Sequence, residues 1–379
     1  MLKNDNNSQP ASLTQFPTPK HHARVGSWLF GSWELSSVRS RFFLIALLLL
    51  IGNSPQGARG QGAKVIVPHT SWNCGMPDGI PAPDAGRLVF AAELKLQAVH
   101  NLGKTPYGNR QVAVVQEGTF TGPQVSGTVA PGSLDLELTL ANGVIEVEQI
   151  FVLKTSDGKY IYLRSAGTGA DSTDVRLVPD FEAGNASDVA WLNSGKYGAR
   201  RTVNVSARTM SLRVYDVSGI TTATDSSNVI RVNKPAGVPA QPWDYRKAAP
   251  DEKQGGQLIT ERVTLSPSQS VGASKRGNRN IIPITGGELT GRLTGKVLFG
   301  GADHQNLSAP ATIDARYLWQ TTDGDIILVR NGGAFGSLVP TFEVRTDSSY
   351  AWLNSGRFLS SNPGMQPGGV AITMYDSTR

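Results

Sequence analysis

The chain has 379 residues, enough for two or three domains of ordinary size. Gly (42) and Pro (22) are plentiful and charged residues make up only 17%, which suits a turn-rich β protein and excludes coiled coils and acidic disordered tails. Most of the formal charge of +6 sits in residues 1–64, so the near-neutral body offers no electrostatic case for a nucleic-acid partner.

Residues 1–63 read as a leader. Phe42 to Ile51 is an unbroken apolar run behind Arg39 and Arg41, with small residues following at Ala58, Gly60, Gly62 and Ala63. At 1.5 Å per residue it is too short for a stable membrane span and matches the apolar core of a secretory signal. The expected compartment is therefore secreted or periplasmic. Cys74 is the only cysteine and cannot form an internal disulfide.

After a linker over 64–84, the body is written twice. Asp188-Val-Ala-Trp-Leu-Asn-Ser-Gly195 recurs as Ser349-Tyr-Ala-Trp-Leu-Asn-Ser-Gly356, and Lys154-Thr-Ser-Asp-Gly158 as Gln320-Thr-Thr-Asp-Gly324. Gly108-Asn-Arg110 returns as Gly277-Asn-Arg279, and Asp135 as Asp303. The copies span 85–219 and 257–379, and 220–256 reads as a second linker. Leu134, Leu136, Leu138 and Leu140 alternate with Asp135, Glu137, Thr139 and Ala141, the period of a half-buried strand. Asp157-Gly158 and Asp323-Gly324 divide β-rich runs into hairpins. The expected fold is all-β, with two tandem antiparallel β-barrels packed against each other through a pseudo-twofold contact. A homo-oligomer is a further option.

His69, His100 and His304 are scattered and give no metal-ligand spacing. Gly295-Lys296-Val297 lacks the hydroxyl of a phosphate loop, and no nucleophile elbow appears. Neither a metal nor a cofactor is expected.

The Gly-x-x-x-Gly spacings at 118–122 and 287–291, Gly300-Gly-Ala-Asp303, Asp314-Ala-Arg-Tyr317, the Thr-x-Asp-Gly hairpins and Tyr350-Ala-Trp-Leu-Asn354 together resemble the DUF3237 family, also called UPF0311. The resemblance covers nearly all of both copies and implies a compact antiparallel barrel of calycin-like (lipocalin-like) appearance.

The copies depart from the pattern unequally, because Ile150 stands where the second copy has Arg316. A carboxylate and a guanidinium in a barrel mouth can polarise a carbonyl or hold an anion, so Asp303 and Arg316 are the candidate catalytic pair. The plain alternative is an ion pair tying strands. Around it, Arg279, His304, Tyr317, Trp352 and Asn354 are candidate ligand contacts. Trp352 and Asn354 equally suit fold roles, as an aromatic plug and a backbone-satisfying amide. The leading function is an exported module binding a small, partly apolar or anionic ligand. The rivals are a cofactor-independent isomerase, cyclase or lyase using Asp303 and Arg316, and a structural interaction module without a pocket. A single working pocket should belong to the second copy.

Overall fold

In the computed structural model, residues 64–223 and 225–378 are described; the leader and its apolar run lie outside them. The first copy is a closed, eight-stranded antiparallel barrel. Its strands are Arg87–Lys104, Asn109–Thr121, Ser126–Thr139, Ile145–Thr155, Tyr160–Gly169, Arg176–Ala183, Tyr197–Asn204 and Thr209–Asp216, the last pairing with the first. Alternation sends Phe90, Phe120, Phe151, Phe181 and Leu212 into one core, as the period of two requires. Gly158 (φ 92°) closes the expected hairpin, and Thr155 Oγ1 donates to Asp157 Oδ1 at 2.5 Å. Gly324 (φ 99°), Thr321 and Asp323 repeat this arrangement.

The second copy is an 11-stranded sheet running from Val339–Glu343 at one edge to Phe358–Ser360 at the other. The sheet curls about its own core of Tyr317, Trp319, Val329, Phe342, Phe358 and Met374. No ladder joins its edges, which meet through Ser360 N donating to Leu338 O at 3.1 Å. The strand that is continuous over Ser126–Thr139 in the first copy is broken in the second into Gly295–Val297 and Ala302–Asn306. The break is at Gly300-Gly301: a Cβ on Gly301 (φ 79°) would lie 1.9 Å from Arg316 O, and one on Gly300 (φ 113°) 2.4 Å from Val114.

Both Trp-Leu-Asn motifs form 3₁₀ turns, Ala190–Asn193 and Ala351–Asn354. Asn193 bonds the amide and carbonyl of Ala183, and Asn354 does the same to Val344.

The two segments read as linkers are structured. Val65–Val67 pairs antiparallel with Ile80–Pro81 and parallel with Val229–Arg231, so chain on either side of the first barrel meets in a small sheet.

The copies contact each other reciprocally. Arg110 of the first bonds Glu343 of the second (3.0 Å), and Arg279 of the second bonds Glu182 of the first (2.8 Å). Thr105 adds a hydroxyl bond to Glu343, and Ser274, its repeat equivalent, one to Glu182. Thr346 N donates to Lys104 O and Asn185 N to Ala273 O, both at 2.8 Å. Residue i meeting j′ while j meets i′ is the signature of a twofold relation. Two apolar clusters flank the axis: one contains Val112, Val114, Leu136, Leu318 and Leu328, and the other Ile150, Val152, Tyr162, Ile281 and Ala302.

Candidate functional site

The pairing register decides where the predicted catalytic pair goes. Ala302 lies opposite Arg316 and Asp303 opposite Ala315. Neighbouring residues on a strand face opposite ways, so Asp303 shares the core-facing side with Ala315 and Tyr317, while Arg316 shares the outer face with Ala302 and His304. The expectation that Asp303 and Arg316 meet as a catalytic pair is thus corrected, and the isomerase, cyclase or lyase built on that pair loses its geometry.

Arg316 instead crosses the seam between the copies. Its Nη1 donates to Glu148 of the first barrel at 2.9 Å, and its Nε to Asp314 at 3.1 Å. Arg164 Nε donates to Glu148 (2.8 Å), and Arg330 Nε to Asp314 (2.8 Å). Both bonds join residues sixteen apart in sequence, the same pair in each copy. Burial alone would raise Glu148, but Arg316 and Arg164 outweigh it and hold its carboxyl down to about 2. Asp314 is likewise held far below the ordinary range, against burial, by Arg316 and Arg330. Arg330 itself is depressed, first by burial and then by the like charge of Arg316. With Arg279 and Glu182 included, the buried seam carries four guanidinia (Arg164, Arg279, Arg316, Arg330) against three carboxylates (Glu148, Glu182, Asp314). Among these seven groups one positive charge is in excess, and the more exposed Arg276, Asp180 and Asp244 at the cavity rim bring the wider count to balance.

Beside this cluster lies a cavity of 340 Å³ between the copies, walled by Tyr162, Arg164, Glu182, Arg279, His304 and Asp314. Trp243 and Tyr245, from the segment joining the copies, cover it. Trp243 O accepts from Arg164 Nη2 (2.5 Å) and Arg330 Nη2 (3.0 Å), and its ring lies 3.6 Å from the Arg164 guanidinium carbon. Gly332 lets Tyr245 seat closely, since a Cβ there would fall 2.6 Å from the tyrosine Cβ.

Beside the cavity, among the described residues, His304, Tyr162 and Arg164 keep uncommitted polar atoms, as do Asp244 and the Tyr245 hydroxyl at its rim. His304 is 2% exposed, and neither of its ring nitrogens has a partner. Burial, aided by Arg279 and Arg316 against the pull of Asp314, depresses it to about 3, so the ring is neutral at physiological pH. The Tyr162 ring packs 5.3 Å from that of His304, and its hydroxyl, raised by burial to about 12, stays protonated. Arg164 spends Nε and Nη2 on Glu148 and Trp243, which leaves Nη1. A buried imidazole without partners is costly unless something else bonds it.

The remaining candidates lie elsewhere. Arg279 lines the cavity, bound to Glu182, with its guanidinium carbon 4.8 Å from the Tyr162 ring. Tyr317 is inside the second copy, donating to Glu261 at 2.6 Å, with Trp319 Nε1 donating to the same carboxyl at 2.9 Å. Trp352 lies beneath Arg292 (4.0 Å) and against Phe358, and Asn354 is spent on Val344. These three do not join His304. Glu261, which the sequence reading passed over, is fully buried and raised to about 7 by burial, opposed by its two hydrogen bonds; burial likewise raises Asp303 to about 7. In the first barrel Asp135 has Gln149 (2.7 Å) and Arg201 (3.4 Å) instead. Among the described residues no cluster of His, Cys, Asp or Glu could hold a metal, and no helix is long and apolar enough to cross a membrane.

Comparison with known proteins agrees with the duplication. The family model described as a protein of unknown function, DUF3237, matches residues 85–218 and again 257–337. A UPF0311 protein of Bradyrhizobium diazoefficiens is 48% identical over 128 residues, covering 27% of this chain and 84% of its own. A crystal structure of a β-barrel-like protein from Acinetobacter baumannii is 20% identical with a TM-score of 0.31, covering 35% of this chain and 94% of its own. A conserved protein of unknown function from Rhodopseudomonas palustris is 22% identical with a TM-score of 0.31, covering 34% and 95%.

Proposed function

This chain belongs to the DUF3237 (UPF0311) family, and we propose that its paired copies form a binding module for a small carboxylate, held in the cavity between them. The observation that carries this reading is His304, buried beside that cavity with both ring nitrogens unbonded. Among the buried seam groups guanidinia outnumber carboxylates by one, which supports an anionic ligand, since a buried cation in surplus is relieved by one negative charge. Arg164 Nη1 and the Tyr162 hydroxyl donate to the carboxylate, and neutral His304 adds one donor and one acceptor. Tyr162, Trp243 and Tyr245 offer aromatic faces to a planar, partly apolar body. Few converging polar groups in a mostly preformed concavity are what small-ligand sites require.

The test is calorimetric titration of the full chain with benzoate, phenylacetate and cinnamate. At least one should bind, and Tyr162→Phe and His304→Leu should each weaken it about tenfold or more, the loss of a hydrogen bond to a charged group. No binding by any of the three, or equal binding by the His304→Leu protein, overturns the reading.

A further inference from the structure

A second cavity, of 500 Å³, adjoins the first and shares Arg164, Asp180, Trp243 and Arg276 with it as a common wall. Its lining differs in chemistry. Trp72, Met76, Ala166, Val178 and Pro179 face it, and the polar atoms among its deeper walls are already committed. Trp72 Nε1 donates to Gly167 O at 2.9 Å, and Cys74 Sγ donates to Trp72 O at 3.3 Å. Thr70, Ser71, Asn73 and Lys196 lie exposed along its edge. Trp243 stands between the two spaces, edge-on to Trp72 with ring centroids 5.5 Å apart. The wall formed by residues 70–76 precedes the first barrel and, among the described residues, has no counterpart before the second.

Resting on the carboxylate reading above, we propose that the ligand is an amphipathic acid. Its carboxylate lies at Arg164, Tyr162 and His304, and its apolar tail passes Trp243 into the chamber of Trp72 and Val178. The order of the two spaces supports this orientation: His304 and Tyr162 line only the first, Arg164 stands in the shared wall, and Trp72, Met76 and Val178 line only the second. A tail left in water would gain nothing from that wall. A tail within it gains up to about fourfold in affinity for each methylene buried.

The experiment compares benzoate, 4-butylbenzoate and 4-octylbenzoate by calorimetry on the full chain. The butyl compound should bind at least about tenfold more tightly than benzoate. Val178→Trp, on an outward and partly exposed strand position, should reduce that gain to within about twofold and leave benzoate unchanged. Ala166→Leu fills the same chamber by a smaller volume and should show the same selective loss. Benzoate binding with no gain from the alkyl chain overturns the two-chamber inference and leaves the carboxylate site standing. So does a gain that survives both variants. Failure of benzoate and its alkyl derivatives alike removes the carboxylate site, and the tail chamber with it.

Discussion

On one side of the pseudo-twofold axis Leu136 and Leu328 share an apolar cluster; at the repeat-equivalent positions on the other side stand His304 and Tyr162. The backbone pairing is the same on both sides, with Leu136 opposite Glu148 and His304 opposite Asp314. The first side is also plugged. Arg110 Nη2 donates to Gln241 (3.0 Å), Gln241 donates to Glu146 (2.5 Å), and His69 bonds the other oxygen of Glu146 (2.5 Å). Its polar groups are used up internally, whereas the second side keeps an imidazole with both nitrogens buried and unpartnered, a phenol and one guanidinium nitrogen beside a cavity. The difference shows that a ligand site here is an unfinished interface: the same ion pairs hold both halves, and only one half is filled.

The largest effect expected on this comparison comes from cutting the cluster both halves share. Arg316→Ile, which installs the first copy's residue, leaves Glu148 and Asp314 each with one partner fewer in a buried setting and should cost about 3 kcal/mol in urea unfolding. It also changes the acid limb. Glu148, depressed in the folded state, contributes stability that is full above its ordinary carboxylate range and is lost as pH falls towards about 2. Without Arg316 that contribution should be smaller and its loss complete at a higher pH. An unchanged acid midpoint would show that the cluster does not bind the halves together.

The twin ion pairs sharpen the contrast. Arg110→Ala strands Glu343 in the filled half, where only Thr105 remains, and should cost about 3 kcal/mol. Arg279→Ala leaves Glu182 with Ser274, Arg276 and water from the cavity, so about 1 kcal/mol is expected. Equal losses in chemical denaturation would mean that the two halves are equally filled.

The smallest effect has the opposite sign. His304→Leu copies the filled half's residue and removes two unsatisfied nitrogens, so stability should rise by about 1 kcal/mol as carboxylate binding falls. A destabilised His304→Leu protein would indicate that the imidazole already has a structural partner.

Much of this was legible before the structure, but not the position of the site. Ordered repetition and period-two leucines identify two antiparallel units, and Asp157-Gly158 and Asp323-Gly324 place their hairpins. Asn354 and Trp352 could be read either way, and their contacts favour the fold. What a single strand's sequence does not carry is register: one residue's slip separates Asp303 from Arg316 by the thickness of the sheet. The Glu148–Arg164 and Asp314–Arg330 pairs, equally spaced in both copies, were an available signal. Their meaning depended on knowing that both face outward into a shared seam. Trp243, Tyr245 and Gln241 were hidden by the composition of the connecting segment, whose prolines and charges resemble a tether.

The reciprocal Arg–Glu exchange has a consequence for how such a site can arise. When two separate identical chains associate about a twofold axis, every substitution is made on both sides at once. A histidine introduced for a ligand would then also replace the leucine that seals the opposite half, and the association would weaken twice. Joining the copies in one polypeptide removes that coupling, because the partner is held at high local concentration whatever the amount of protein present. Each side of the axis can then change by itself, so one can be kept sealed for cohesion while the other accumulates polar residues that an independent pair of chains could not tolerate.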